Sequence, residues 1–511
     1  MGGSEGDDWS PFEKPLFEDP TARALSRVGV VDVGSNSVRL VVFDGAARSP
    51  AYFYNEKILC GLGKGFNETG HLNPNGRDRA LAAIQRFQLL ATAMGLPQLT
   101  AVATAAVREA TDGAEFRADV LRETGLRLWV IGGEEEARLS AQGVLLGWPG
   151  ADGLLCDIGG SSMELAVIAD GKVGKRMTAP LGPLRLEGIK GGKKGRKAEI
   201  DRNPDRLVDV VGTGHKRLFL VGGSWRAIAR LDMERREYPL HVLHEYRMTP
   251  RSVVATVKWI ADNDLTALRG RTDTSEARMS LVPVASEVLR RLVRRLRPAE
   301  IAVSAYGIRE GMLYEQMPDR LRRRDPLIEA CRFAEAKDAR MPGFGKALFG
   351  FLRPLYANAR PARLRLVKAA CLLHDVTWRA HPDYRHEVCF DNATRANLGG
   401  LTHSERVFLG LALLHRYKNS RSGTRFEPLM ELLNAQQLKD AEILGKAMRF
   451  GAMFSVQDSS MMGAMTWKPV KKVLVMQVPK ASRALFGEVA AARFQSLASS
   501  LGAEGNVTFL K

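Results

Sequence analysis

Val28-Gly-Val-Val-Asp-Val-Gly-Ser-Asn-Ser-Val-Arg-Leu-Val-Val-Phe43 decides how the chain is read. A β-branched apolar run ends in Asp32, a tight turn of Gly34, Ser35, Asn36 and Ser37 follows, and a second apolar run leads to Asp44-Gly45. The pattern predicts a β-hairpin whose connection is rich in small hydrogen-bond donors. Gly34 has no Cβ to hold a ligand away from the backbone. Successive N–H groups in such a turn form an anion-binding nest, and the serine and asparagine side chains add neutral donors. Asp32, at the strand end, is placed to hold a hydrated cation beside the anion.

Gly-Ser-Asn-Ser is also an ordinary loop composition, so one such turn decides little. The chain carries a second. Leu154-Leu-Cys-Asp-Ile-Gly-Gly-Ser-Ser-Met-Glu-Leu-Ala-Val-Ile168, closing at Asp170-Gly171, repeats the arrangement. Asp157 matches Asp32, Gly159 matches Gly34 and Ser162 matches Ser37 at the same spacing, with Gly160 and Ser161 between them. The pair predicts a duplicated domain in which two phosphate clamps face each other with carboxylates between them.

The two turns resemble the paired phosphate motifs of the actin, Hsp70 and sugar-kinase superfold, which is ribonuclease H-like. The wording DVGSNS with DIGGSSMEL is similar to the exopolyphosphatase / guanosine pentaphosphatase (Ppx/GppA) family. The likeness continues through Ala103-Thr-Ala-Ala-Val-Arg-Glu-Ala110, Gly133-Glu-Glu-Glu-Ala-Arg-Leu139 and Ser304-Ala-Tyr-Gly-Ile-Arg-Glu-Gly311, covering about residues 28 to 318. One departure is Ser161, where family members commonly carry a third glycine.

The resemblance implies roles for particular residues. Arg108 matches the family's arginine-bearing motif; a guanidinium grips phosphate in bidentate fashion. A surface pair with Glu109 or Asp112 is the other reading. Glu136 matches the family's catalytic base, although acidic residues in a first helical turn also follow from the macrodipole alone, and Glu135 is its neighbour. Glu164 is implied in metal binding or in positioning water, with an ion-paired structural glutamate as the alternative. Magnesium held by Asp157, Glu164 and Asp32 is the implied cofactor. Gly222-Gly223, at a predicted helix start, adds an anion site.

Composition sets the outer bounds. With 511 residues, 45% apolar and 26% charged, the chain is expected to form two to four soluble domains. It holds no apolar run of the roughly 20 residues a membrane helix needs. The polar, acidic start through Asp19 does not read as a signal peptide. Five cysteines without a CxxC pair suit reduced thiols in the cytoplasm. A net charge of +18 draws in polyanions, and composition alone does not separate nucleic acid from a phosphate chain.

The expected layout is α/β. Residues 1–26 form a disordered tail, 27–147 and 148–318 two actin-like domains, 319–450 a mostly helical HD-like domain, and 451–511 a small α/β tail. Lys190 to Lys197 reads as a mobile basic loop, either a solvated charge run or a trap for a long anion. Lys480 to Leu501 reads as one helix. Ala369-Ala-Cys-Leu-Leu-His-Asp375 resembles the HD phosphohydrolase helix, but no histidine lies between His244 and His374 to complete a metal set, so a degenerate domain without chemistry is expected.

Together these features lead to a magnesium-dependent exopolyphosphatase acting on inorganic polyphosphate. The alternatives are guanosine pentaphosphate (pppGpp) 5′-hydrolysis at the same site, a superfold kinase or ATPase, and a polyanion binder without catalysis. Nucleic acid is not the expected partner, no membrane is, and a homodimer is expected on base rates.

Overall fold

The first hairpin forms where the alternation of apolar residues demands it. In the computed structural model, which describes residues 27–44, 48–97, 99–272, 274–454 and 459–510, β1 (Val28–Val33) pairs antiparallel with β2 (Ser37–Phe43), and β2 with β3 (Tyr52–Leu59). On the other side β1 runs parallel to β4 (Thr100–Ala103), and β4 to β5 (Leu128–Val130). The sheet order is β3-β2-β1-β4-β5.

The second hairpin repeats this. Strand β6 (Gly153–Ile158) pairs antiparallel with β7 (Met163–Ala169), and β7 with β8 (Lys172–Ala179). Strand β6 runs parallel to β9 (Arg217–Val221), and β9 to β11 (Glu300–Val303), with the short β10 (Arg247–Met248) at the edge. The order β8-β7-β6-β9-β11 therefore matches the first sheet strand for strand, with β10 added.

Period-2 alternation sorts each strand onto two faces. In lobe I, built on the first sheet as lobe II is on the second, Val31, Val33, Val38 and Leu40 pack with Ile84 and Phe87 of α1 (Pro74–Ala93). The opposite face, Val30, Val41 and Phe43, packs with Leu139 of α2 (Gly133–Gly147). In lobe II, Leu155 and Ala166 pack with Ala141, Val144 and Leu145 of that same helix. Helix α2 thus serves both sheets.

Three further helices bear on the site or on the sequence reading. The segment Lys190 to Lys197, expected as a mobile loop, instead enters α3 (Gly192–Val211). Gly195 and Pro204, both poor helix formers, masked it in the sequence. Helix α4 (Gly223–Arg235) starts at the glycine pair after β9. Helix α5 (Ile308–Gln316) lies backbone to backbone on α2. A Cβ on Gly311 would sit 1.7 Å from the Leu139 carbonyl oxygen, and one on Gly143 2.1 Å from that of Gly307.

Contacts divide the chain into one unit ending at Arg323 and another starting at Arg324. The second unit is helical through α6 (Pro326–Asp338), α7 (Pro361–Leu373), α8 (His403–Tyr417) and α9 (Ala435–Phe454). It closes with a three-stranded sheet, β12 (Ala464–Lys468), β13 (Val473–Val478) and β14 (Glu504–Phe509), and with α10 (Glu488–Ser500). The single helix expected over Lys480 to Leu501 is two pieces. A 3-10 turn, Lys480–Leu485, precedes α10, and Gly487 caps the latter. The tail expected over residues 1–26 lies outside the described residues. Among the described residues no helix is long and apolar enough to cross a membrane.

The HD-like segment ends α7, with His374 and Asp375 directly after it. Arg340 grips the Asp375 carboxylate with both arms of its fork, at 2.8 and 2.6 Å. The His374 imidazole shares a hydrogen bond with the Cys371 carbonyl oxygen at 2.8 Å. Burial and then Arg416 push its pKa down to about 4. The Asp375 carboxylate is thus held by a guanidinium.

Candidate functional site

Both turns close by the same bond. The Gly34 N–H donates to the Ser37 carbonyl oxygen and the Gly159 N–H to that of Ser162, each at 3.0 Å. The turns also meet: Ser161 Oγ donates to Ser35 Oγ at 2.9 Å. They border a cleft of about 240 Å³. Gly34, Ser35, Asn36 and Ser37 line one side of it, and Gly159, Gly160, Ser161 and Ser162 the other. Gly222 and Gly223, at the start of α4, line it as well, Gly222 with a φ of 113° that favours glycine.

The carboxylates gather on the cleft floor. Strand register puts Asp32 opposite Arg39 on β2, and Asp157 opposite Glu164 on β7. Directly opposed like charges repel. Asp157 accepts a hydrogen bond from Ser140 Oγ at 2.5 Å, and Asp32 pairs with Arg309 Nη1 at 2.9 Å. Glu164 lies fully buried behind the cleft lining; its Oε1 accepts from Thr178 Oγ1 at 3.0 Å and its Oε2 has no donor.

Of the three glutamates that open α2, Glu136 alone lines the cleft. Glu135 forks onto Arg138 at 2.8 and 2.6 Å, and Glu134 lies 3.9 Å from Arg176. Glu136 Oε2 is buried without a hydrogen-bond donor, 3.6 Å from Arg108 Nη1. Burial, then Glu164 and Asp157, raise the Glu136 pKa well above the usual carboxylate range, and Arg108 opposes them. Burial and Asp157 push Glu164 up to about 8, and burial raises Asp157. Arg108 does not line the cleft. It donates to the Ile131 carbonyl oxygen at 2.8 Å and faces Glu136 from behind.

A basic wall that sequence reading missed lines the same cleft. Arg39, Lys57, Arg226, Arg278 and Arg309 all line the cleft. Burial and then Arg309 lower Arg39 to about 10; burial, then Arg278 and Arg39, lower Lys57 to about 8. Mutual repulsion of this kind marks cations arranged for an anion. Only Arg39, two residues past Ser37, and Arg309, inside a quoted motif, had any local signal. Lys64 lines a neighbouring pocket of about 310 Å³ together with Arg185.

The floor suits a cation by its charge. Two buried carboxylate oxygens, one on Glu136 and one on Glu164, have no donor, and the acids raise one another. Among the described residues, no three His, Cys, Asp or Glu side chains already converge as a ligand set.

Residues 41–320 match the Ppx/GppA phosphatase family, more than half of the 511-residue chain. The chain belongs to the Ppx/GppA phosphatase family. Residues 356–507 match a second family, described as exopolyphosphatase, C-terminal. Exopolyphosphatase 1 of Mycobacterium tuberculosis is 34% identical over 163 residues, 31% of this chain and 47% of that protein. The chain thus spans about half the length of the mycobacterial relatives it matches. Retrograde regulation protein 2 of Saccharomyces cerevisiae is 26% identical over 448 residues, 78% of this chain and 74% of that protein. An exopolyphosphatase structure from Cytophaga hutchinsonii covers 57% of this chain and 98% of its own, at 23% identity and a TM-score of 0.51. A Ppx/GppA member from Aquifex aeolicus covers 57% and 97%, at 22% and 0.50. Both likenesses concern the fold.

Proposed function

We propose that this Ppx/GppA chain is an exopolyphosphatase, cutting orthophosphate from the end of an inorganic polyphosphate chain by direct attack of water. The meeting of two donor-lined turns above Glu136, with a basic wall beside them, carries the reading.

The terminal phosphoryl group lies between Gly34–Ser37 and Gly159–Ser162, whose N–H and hydroxyl groups take its oxygens. Arg39, Lys57, Arg226 and Arg278 hold the groups that follow. Glu136, whose carboxylate form Arg108 favours, accepts a proton from water as the water oxygen bonds to the terminal phosphorus. The bridging P–O bond breaks, and the electron pair stays on the shortened chain. Donors already in place meet that charge without reorganising. Asp157, Glu164 and Asp32 would hold magnesium, which would supply positive charge at the phosphoryl oxygens and bring the buried acids back toward the ionised form.

The test is orthophosphate release from long-chain polyphosphate, with and without magnesium, by wild type and Glu136→Gln. Magnesium-dependent release, reduced by roughly 10²-fold or more in the variant, is expected. Near wild-type release by Glu136→Gln removes the base. Polyphosphate binding without magnesium-dependent turnover overturns the activity.

A further inference from the structure

The two turns border a second space. Ser35, Asn36, Ser161 and Leu184 line both the cleft and the pocket of about 310 Å³ beside it, so the two meet across the turns. The bond from Ser161 Oγ to Ser35 Oγ, 2.9 Å long, stands at that border. Each wall of the pocket hangs from the turn it adjoins. The Gly63 N–H donates to the Ser35 carbonyl oxygen at 2.8 Å, and the Leu184 N–H to that of Gly160 at 2.9 Å. None of the cleft's carboxylates and none of its basic wall reaches the pocket. Its own charges are Lys64 and Arg185, Glu68 and Glu187, with Arg185 paired to Glu109 at 2.9 Å.

We propose that this pocket is an orthophosphate site, the outlet by which the split-off product leaves while the polyphosphate chain stays in the cleft. The proposal rests on the exopolyphosphatase reading. Three features support it. A terminal phosphoryl group that replaces the Ser161–Ser35 bond stands on the border of both spaces, and the groups that follow lie along Arg39, Lys57 and Arg278. Once the bridging bond breaks, the shortened chain fills the way back along that wall, and the pocket side is free. The charges differ as well. The cleft wall is an excess of cations, fitted to hold an anion. In the pocket two cations face two acids, which lets an anion pass without retaining it.

A separate outlet lets a long chain advance by one unit without letting go of the wall. A short chain has no need of it. After tripolyphosphate is cut, pyrophosphate leaves along the wall and orthophosphate follows by the same way. Obstructing the pocket therefore slows turnover of long chains, because product release becomes the slow step, and spares tripolyphosphate. A purely structural disturbance of the pocket walls would slow both substrates alike.

The experiment places a removable plug. Gly188 lines the pocket, is exposed, and has a φ of −81° that any residue adopts. All five native cysteines are buried, so Gly188→Cys offers an accessible thiol to a bulky methanethiosulfonate, which reductant removes. Lys64→Cys, exposed on the other wall, takes the same plug and decides the matter if Gly188→Cys does not fold. Plugging should lower kcat on long-chain polyphosphate about fivefold or more, with KM within about twofold and tripolyphosphate turnover unchanged. Reductant should restore the rate. Equal loss on both substrates, or loss on neither, overturns the outlet. A higher KM for the long chain at constant kcat puts the chain itself in the pocket and overturns it too. A second readout does not need turnover. In Glu136→Gln with Gly188→Cys and excess tripolyphosphate, the phosphorus-31 resonance of added orthophosphate should broaden, and plugging should narrow it. Broadening that the plug leaves unaltered overturns the site. Plug-sensitive broadening in a protein whose wild type hydrolyses neither substrate keeps the orthophosphate site and counts against the exopolyphosphatase reading.

Discussion

Ser161 donates its hydroxyl proton to Ser35 across the cleft, Oγ to Oγ at 2.9 Å. The two turns are therefore latched to each other before any anion lies between them. A phosphoryl group entering there exchanges one neutral hydroxyl–hydroxyl bond for two bonds to an anion, which are about twice as strong each. Ser161→Gly, which installs the residue common in the family, deletes one of those donors. We expect KM for polyphosphate to rise about fivefold, the effect of about 1 kcal/mol, with the fold unchanged. A lower KM in the steady-state assay would mean that the hydroxyl acts only as a latch.

Lys57 sets a pH dependence. It lines the cleft near Arg278 and Arg39, and burial with their repulsion brings it to about 8. Above that pH the free protein loses a positive charge from the wall, whereas a bound phosphate chain favours the charged form. Affinity therefore falls as pH rises through about 8, by at most about tenfold per unit, and less where solvent screens the charge. KM measured between pH 7 and 9.5 should rise in wild type. Lys57→Arg, which keeps its charge throughout, should flatten the curve. An identical profile in the variant would refute the assignment.

The site was legible where its chemistry is local. Asp32 with Gly34–Ser37, and Asp157 with Gly159–Ser162, are short stretches whose strand–turn–strand pattern fixes their shape. The meeting of Ser35 with Ser161 needed only their repetition. Arg39, Lys57, Arg226 and Arg278 come from unrelated points along the chain and converge through packing alone, which no window of sequence records. Glu136 and Glu135 are neighbours with the same chemistry; the helix phase turns one toward the cleft and the other onto Arg138.

The fold followed the same division. Hairpins with clean alternation were readable. Strand β8, Lys172–Ala179, was not, because its largely exposed, charged residues resemble a loop. The first turns of α3, within Lys190 to Lys197, were misread as a loop through Gly195. The break between Lys480–Leu485 and α10 turned on Phe486-Gly487, where helix period continues in the residues but not in the backbone.

His374 makes the second unit acid-sensitive. Unfolded, its imidazole takes up a proton near its ordinary pKa of about 6.5. Folded, burial and the neighbouring Arg416 hold it neutral down to about 4. The unfolded state thus binds more protons throughout that window, so stability falls as pH drops from about 6.5 toward 4. At about 1.4 kcal/mol per unit, the whole window is worth about 3 kcal/mol. Thermal unfolding of the full chain should show wild type losing ground to His374→Gln between pH 7 and pH 5, with their order at pH 7 set by packing alone. Parallel curves would mean that burial and Arg416 do not keep the folded imidazole neutral.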